Sequence, residues 1–195
     1  EYQFINISSV NDIPDFRESI KLKTLSGASN DIVLFGNPDF GDADQSSDDT
    51  RSSWGALPGT KKEVMNIVDL IESDHTFTPL LFTEENATEH DVKEINSPMV
   101  LHIATHGFFE TQRTDLKDPL LRTGLLFKGA NSGLTDRTNE LGSLSDEDDG
   151  VLTAFEAQLL NLNQTQLVVL SACETGLGEL ENGQGVYGLQ YSLKK

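Results

Sequence analysis

Short, dense apolar runs alternate with amphipathic stretches along this chain. Asp31–Phe35 is a β-branched and aromatic run closed by the turn residues Gly36-Asn37-Pro38-Asp39, which reads as a strand. Residues 41–53, rich in Asp and Ser, read as a polar loop. Within Lys61–Glu72, Val64, Ile67, Val68 and Ile71 recur at helical spacing and form one apolar stripe of an amphipathic helix. Thr78–Phe82 reads as a second strand, Thr88–Ile95 as a second helix, and Met99–Thr105, after Pro98, as a third strand. Gly124–Phe127 is a short apolar run suited to an edge strand, and residues 130–150 form a second polar loop. Helical periodicity resumes over Leu152–Leu160, where Thr153 is the expected N-cap and Glu156 stands at capping-box spacing. Gln166–Ala172 is a further strand and Gly185–Lys195 a last helix.

Strands that alternate with helices predict an α/β fold: a mostly parallel sheet with right-handed crossovers and helices on both faces. The unbroken apolar runs at 99–104 and 167–172 fit central strands covered on both sides. No internal repeat is present. A length of 195 residues suffices for one domain with a sizeable core.

Composition then narrows the function classes. The formal charge of −18 argues against nucleic acid, which demands clustered Lys and Arg. It permits attraction of a basic partner, although most of the acids read as solubilising loop residues. No run reaches the roughly 18 apolar residues of a membrane helix, and residues 1–30 lack a signal-peptide pattern. The single cysteine excludes an intrachain disulfide and fits a reducing compartment, so the expected location is cytoplasmic. Beginning at Glu1 and ending at Lys195, the sequence reads as an excerpt of something longer.

That cysteine, Cys173, ends the apolar run 167–172, and His106, followed by Gly107, ends the run 99–105. Ligands of parallel sheets bind at the carboxyl ends of strands, where both residues fall. A cysteine attacks as its thiolate, a histidine can take its proton, and the same histidine can protonate a leaving amine. The backbone N–H groups of Gly107 and Cys173 are candidate oxyanion donors. The chemistry is amide hydrolysis through a thioester, with no metal or cofactor. Against this, a lone cysteine is often only a small buried hydrophobe. His102, inside the strand, reads as a satisfied core histidine, whereas His75 and His90 sit in polar, exposed surroundings.

HIATHGFFE (102–110), DPLLRTGLLFKGA (118–130), VLTAFEAQLLNL (151–162) and QLVVLSACETGLGELENGQGVYGLQ (166–190) resemble the CHAT domain, of the caspase, separase and gingipain group of cysteine proteases. LFGNPDF (34–40) and LPGTKKEV (57–64) resemble its first strand and helix. The resemblance spans about residues 31–190 in the family's order, with 1–30 as the N-terminal lead-in of the domain and 31–195 as the CHAT-like cysteine protease domain. It implies a caspase-like three-layer fold with His106 as base, Cys173 as nucleophile, and the amides of Gly107 and Cys173 as the oxyanion hole. It also implies an intracellular protein, mostly bacterial, commonly attached to tetratricopeptide repeats that act as a regulatory sensor.

In the family a further strand follows the GVYGLQ helix, so the rest of the domain is expected as a second chain or fragment, through processing after Lys195 or separate expression. The family sets specificity after the first strand and two residues before the nucleophile, here Asp39 and Ser171. Relatives that cut after Arg or Lys often carry Asp where Ser171 stands. Asp39, or an acid of the 145–149 cluster, is the expected partner of a basic substrate residue; for Asp39 the competing role is a turn residue bonding its own backbone. Glu174 either positions substrate or holds its loop. The expected activity is an endopeptidase acting on a partner protein. Alternatives are a catalytically silent binding module, a Cys-His amidase or acyl transferase for small molecules, and, more weakly, a metal hydrolase built on His102 and His106.

Overall fold

The first apolar run forms strand β1 (Asp31–Pro38), longer than its sequence pattern suggests. The expected turn is a bulge within the strand: register shifts between Gly36 and Pro38, and Asn37 adopts φ 47°, a left-handed conformation that Asn tolerates. The computed structural model describes residues 29–41, 53–73, 76–110, 118–133, 148–172, 189, 192 and 193. After β1 come helix α1 (Pro58–Glu72), β2 (Thr78–Glu84), α2 (Glu89–Lys93), β3 (Val100–Ala104) and β4 (Gly107–Phe109). A 3-10 turn (Pro119–Leu121) then leads to β5 (Thr123–Leu126), β6 (Val151–Thr153), α3 (Ala154–Ala157) and β7 (Leu167–Leu170). Residues 42–52, 134–147 and most of 185–195, expected as two loops and a helix, lie outside the described residues.

The main sheet is parallel, in the order β2-β1-β3-β7. The stripe on α1 closes one face: Val64 and Ile71 are buried, with Ile67 and Val68 partly so, against Ile32, Leu34, Val100 and Ala104. Each such fully buried aliphatic side chain contributes about 1.5–3 kcal/mol. Gly36 lets α1 approach β1, since a Cβ there would lie 2.7 Å from a Val64 methyl. The opposite face, Val33, Phe35, Leu101 and Ile103, packs on Val92 of α2, Ala154 and Ala157 of α3, and Leu189. Phe35 stacks on Phe82 at 4.8 Å and meets Phe127 edge-on at 5.7 Å. Helices therefore cover both faces, giving the expected three-layer α/β arrangement. Among the described residues, no helix is long and apolar enough to cross a membrane.

β3 is buried throughout, as its unbroken apolar run implies. β7 differs from expectation: among the described strands it ends the sheet, and its four residues are only half-buried. The run at 124–127 also differs. It is no edge but the centre of a second, antiparallel sheet, β4-β5-β6, and all four residues of β5 are buried. A Cβ on Gly124 would overlap the Leu152 carbonyl oxygen and stand 2.8 Å from Phe108 Cε1. Gly124→Ala should therefore destabilise the protein by about 1–3 kcal/mol or more in urea unfolding. An unchanged midpoint would show that β4 and β6 yield freely.

Candidate active site

Strands β1 and β3 point their carboxyl ends at one edge of the sheet, and short connections from those ends build the site. Asn37, in the β1 bulge, accepts the Leu57 N–H at 2.9 Å, and its own N–H donates to Thr60 Oγ1 at 2.9 Å. Thr60 Oγ1 in turn donates to the Leu57 carbonyl at 2.8 Å. This knot fixes the start of α1, where Pro58 needs no N–H partner. It also fixes the strap 53–57, which lies against His106.

His106 follows β3 and is partly buried. Its Nε2 stands 2.9 Å from the Gly55 carbonyl oxygen. A carbonyl only accepts, so Nε2 carries the proton and the neutral ring's Nδ1 is left as an acceptor. The Trp54 and Phe40 rings flank the imidazole at 4.9 and 5.1 Å. His106 is thus held as the Nε2–H tautomer, with the basic nitrogen on the other side of the ring.

Gly107 begins β4. The ladder bond at this level runs from the Leu126 N–H to the His106 carbonyl at 2.9 Å, so Gly107 and Leu125 form a non-hydrogen-bonded pair. In such a pair the N–H groups point away from the facing strand, which turns the Gly107 N–H from β5. A Cβ placed on Gly107 would lie 3.7 Å from the Ala172 Cβ, so the end of β7 adjoins this residue. That Cβ would meet nothing closer than 3.5 Å, so crowding is not what demands glycine here. Cys173 and Glu174 lie outside the described residues.

The other specificity candidates are placed. Asp39 is exposed and its Oδ1 accepts the Gly41 N–H at 3.1 Å, the turn role weighed for it. Asp148 binds His90 and Lys93, and Asp149 accepts the Val151 N–H, so these two acids of the 145–149 cluster are engaged beside α2. Ser171 donates to Glu63 of α1 at 3.1 Å, and the other Glu63 oxygen accepts a hydrogen bond from His102 Nε2–H at 3.0 Å. The hydrogen bond from His102, opposed in part by burial and aided by Ser171, holds Glu63 below the usual carboxylate range. His102 is accordingly a buried, satisfied histidine with a different partner from His106. No group of three or more His, Cys, Asp or Glu among the described residues is arranged to hold a metal ion.

A carboxylate with a lowered folded-state pKa contributes stability above its ordinary value of 4.5 and loses it as pH falls through the folded value. Glu63→Gln should therefore flatten the acid limb of the stability profile below pH 4.5. A limb as steep as the wild type's would exclude Glu63 from acid unfolding.

No local pattern marks Trp54, Gly55 or Glu63 as part of this site. Glu63 stands in the LPGTKKEV segment, but nothing local marks it as reaching two strands.

Comparison with known proteins agrees with this architecture. The CHAT domain family model matches residues 1–194. No curated protein and no solved structure gives a match. With the family model covering nearly the whole length, the chain belongs to the CHAT domain family, a caspase-like protease group.

Proposed function

We propose that this chain is a cysteine endopeptidase in which His106 is the base and Cys173 the nucleophile. One observation carries the reading. Ile103 pairs with Leu170 across β3 and β7, a separation of 67 residues, and His106 and Cys173 are separated by the same 67. That register supports the reading, because Ile103 and Leu170 each stand three positions before a candidate residue.

In this reading the His106 Nδ1 takes the thiol proton and the thiolate sulfur attacks the scissile carbonyl carbon. The carbonyl oxygen becomes an oxyanion, met by the Gly107 and Cys173 N–H groups. Collapse breaks the C–N bond as His106 returns its proton to the amine. Water, deprotonated by His106, then hydrolyses the thioester and restores the thiol.

A preference for a basic residue at the cleavage point belongs to the same proposal. Position 171 carries no acid, but the Ser171 hydroxyl leads directly to the ionised Glu63. The charge of −18 favours a basic substrate segment. A protein substrate, an attached tetratricopeptide-type sensor, the remainder of the domain as a partner and a cytoplasmic location rest on the family resemblance. The test is to incubate the chain with a proteome-derived peptide library and identify new N-termini, with Cys173→Ala as control. Cleavage after Arg or Lys that disappears in the control supports the reading. Cleavage that persists in the control rejects the dyad, and cleavage indifferent to the preceding residue rejects the basic preference.

A further inference from the structure

The groups that hold His106 come from two distant pieces of chain, and one buried side chain ties them together. Asn131 lies in a helical turn at 130–133 and is 8% exposed. Its Oδ1 accepts the Trp54 N–H at 2.9 Å, and its Nδ2 donates to the Trp54 carbonyl at 3.2 Å and the Gly41 carbonyl at 2.7 Å. Its backbone N–H donates to the Phe40 carbonyl at 3.0 Å. Trp54 and Phe40 are the two rings against the imidazole, and Gly55, next to Trp54, supplies the carbonyl that holds Nε2. Both faces of one side-chain amide are therefore spent on the immediate neighbours of the His106 cradle.

We propose that Asn131 is a positioning residue for His106: it fixes the strap at Trp54–Gly55 and so sets the imidazole's tautomer and orientation. The proposal rests on the dyad reading above, since its catalytic consequence requires His106 to act on Cys173. A carboxylate cannot replace the amide, because its oxygens would face the Gly41 and Trp54 carbonyls. An alanine leaves both peptide groups of the strap without their partner, at a site too buried for free solvation.

The single cysteine makes a substrate-free assay possible. Alkylation by iodoacetamide reads the thiolate of Cys173 as a function of pH, and ¹⁵N chemical shifts read the tautomer of His106, assigned with His106→Gln. In the wild-type protein His106 should be the Nε2–H tautomer, and finding the Nδ1–H form would overturn the proposal without any variant. In Asn131→Ala the tautomer should become mixed. Alkylation near neutral pH should slow by about tenfold, as a rise of one unit in the thiol's pKa would give. Asn131→Asp should show the same loss and serves where the alanine variant does not fold. A wild-type tautomer and alkylation profile in either folded variant would overturn the assignment. His106→Ala in the same assay separates the two claims. If it leaves the profile unchanged, the dyad reading fails; if it shifts the profile and the Asn131 variants do not, only the positioning role fails.

Discussion

Cys173→Ala should abolish peptide-bond cleavage, lowering its rate by about 10⁴-fold or more, while the near-ultraviolet circular dichroism stays that of the wild type. The magnitude follows from chemistry. Without the sulfur no thioester can form, and what remains is the contribution of binding and of the oxyanion donors. His106→Ala should cost a similar amount, because residues of one catalytic unit do not contribute additively. The double variant should therefore be little slower than either single one, as measured with whichever peptide the library identifies. Activity within tenfold of wild type in either single variant would contradict a shared mechanism.

The largest stability effect is expected away from the site, at Glu89. This α2 side chain is 1% exposed, yet its Oε2 accepts the N–H groups of Gly150 and Val151 at 2.8 and 3.1 Å. Its Oε1 forms an ion pair with Lys93 at 2.6 Å. Burial pushes the Glu89 carboxyl up to about 7, against the pull of Lys93 and with the help of Glu156 and Asp149. Burial also works against the Lys93 charge, but Glu89 holds that ammonium above its usual range. The knot fastens β6 to α2. Glu89→Ala would orphan the Gly150 N–H, leave the Val151 N–H to Asp149 alone among the carboxylates described, and leave the Lys93 ammonium, among the described residues, with Asp148 and Glu156, both at 3.3 Å. Breaking a buried pair in this way costs about 3–5 kcal/mol, a fall in melting temperature of roughly 6–20 °C. A fall of less than about 2 °C would show that the pair is not holding β6. The raised Glu89 value also has a pH consequence. The folded state binds the extra proton between the ordinary value of 4.5 and about 7, so this group's contribution to stability falls as pH rises through that window.

The parts of this fold that sequence reveals are those determined locally or by burial on two faces. The α1 stripe is read from its 3.6-residue period, and β3 from an unbroken apolar run that fits a strand covered on both faces. The capping box of Thr153 and Glu156 is likewise local, and both of its hydrogen bonds are present. Strands β4 and β6 were not legible. Three residues each, they exist only through pairing with β5, and no three-residue period distinguishes them from a loop. β5 resembled an edge strand for the same reason: its neighbours were invisible. β7 carries a run as apolar as that of β3, which hid its place at the end of the described sheet.

The site divides along the same line. His106 and Gly107 announce themselves by standing where an apolar run stops. Asn131 does not, because its bonds reach 77 and 90 positions along the chain, and a side-chain amide aimed at distant backbone leaves no periodic trace. Glu63 spans 39 and 108 positions to His102 and Ser171. What local sequence withholds is the long-range support around the strand ends, not the candidate residues that stand there.

The central claim is that His106 acts on Cys173, and the reactivity of that one thiol tests it most directly. The second-order rate of Cys173 alkylation, followed by intact mass across pH, should titrate well below the ordinary thiol value of about 8.5 in the wild-type protein. It should move up toward that value in folded His106→Ala. Superimposable profiles in the two proteins would contradict the account.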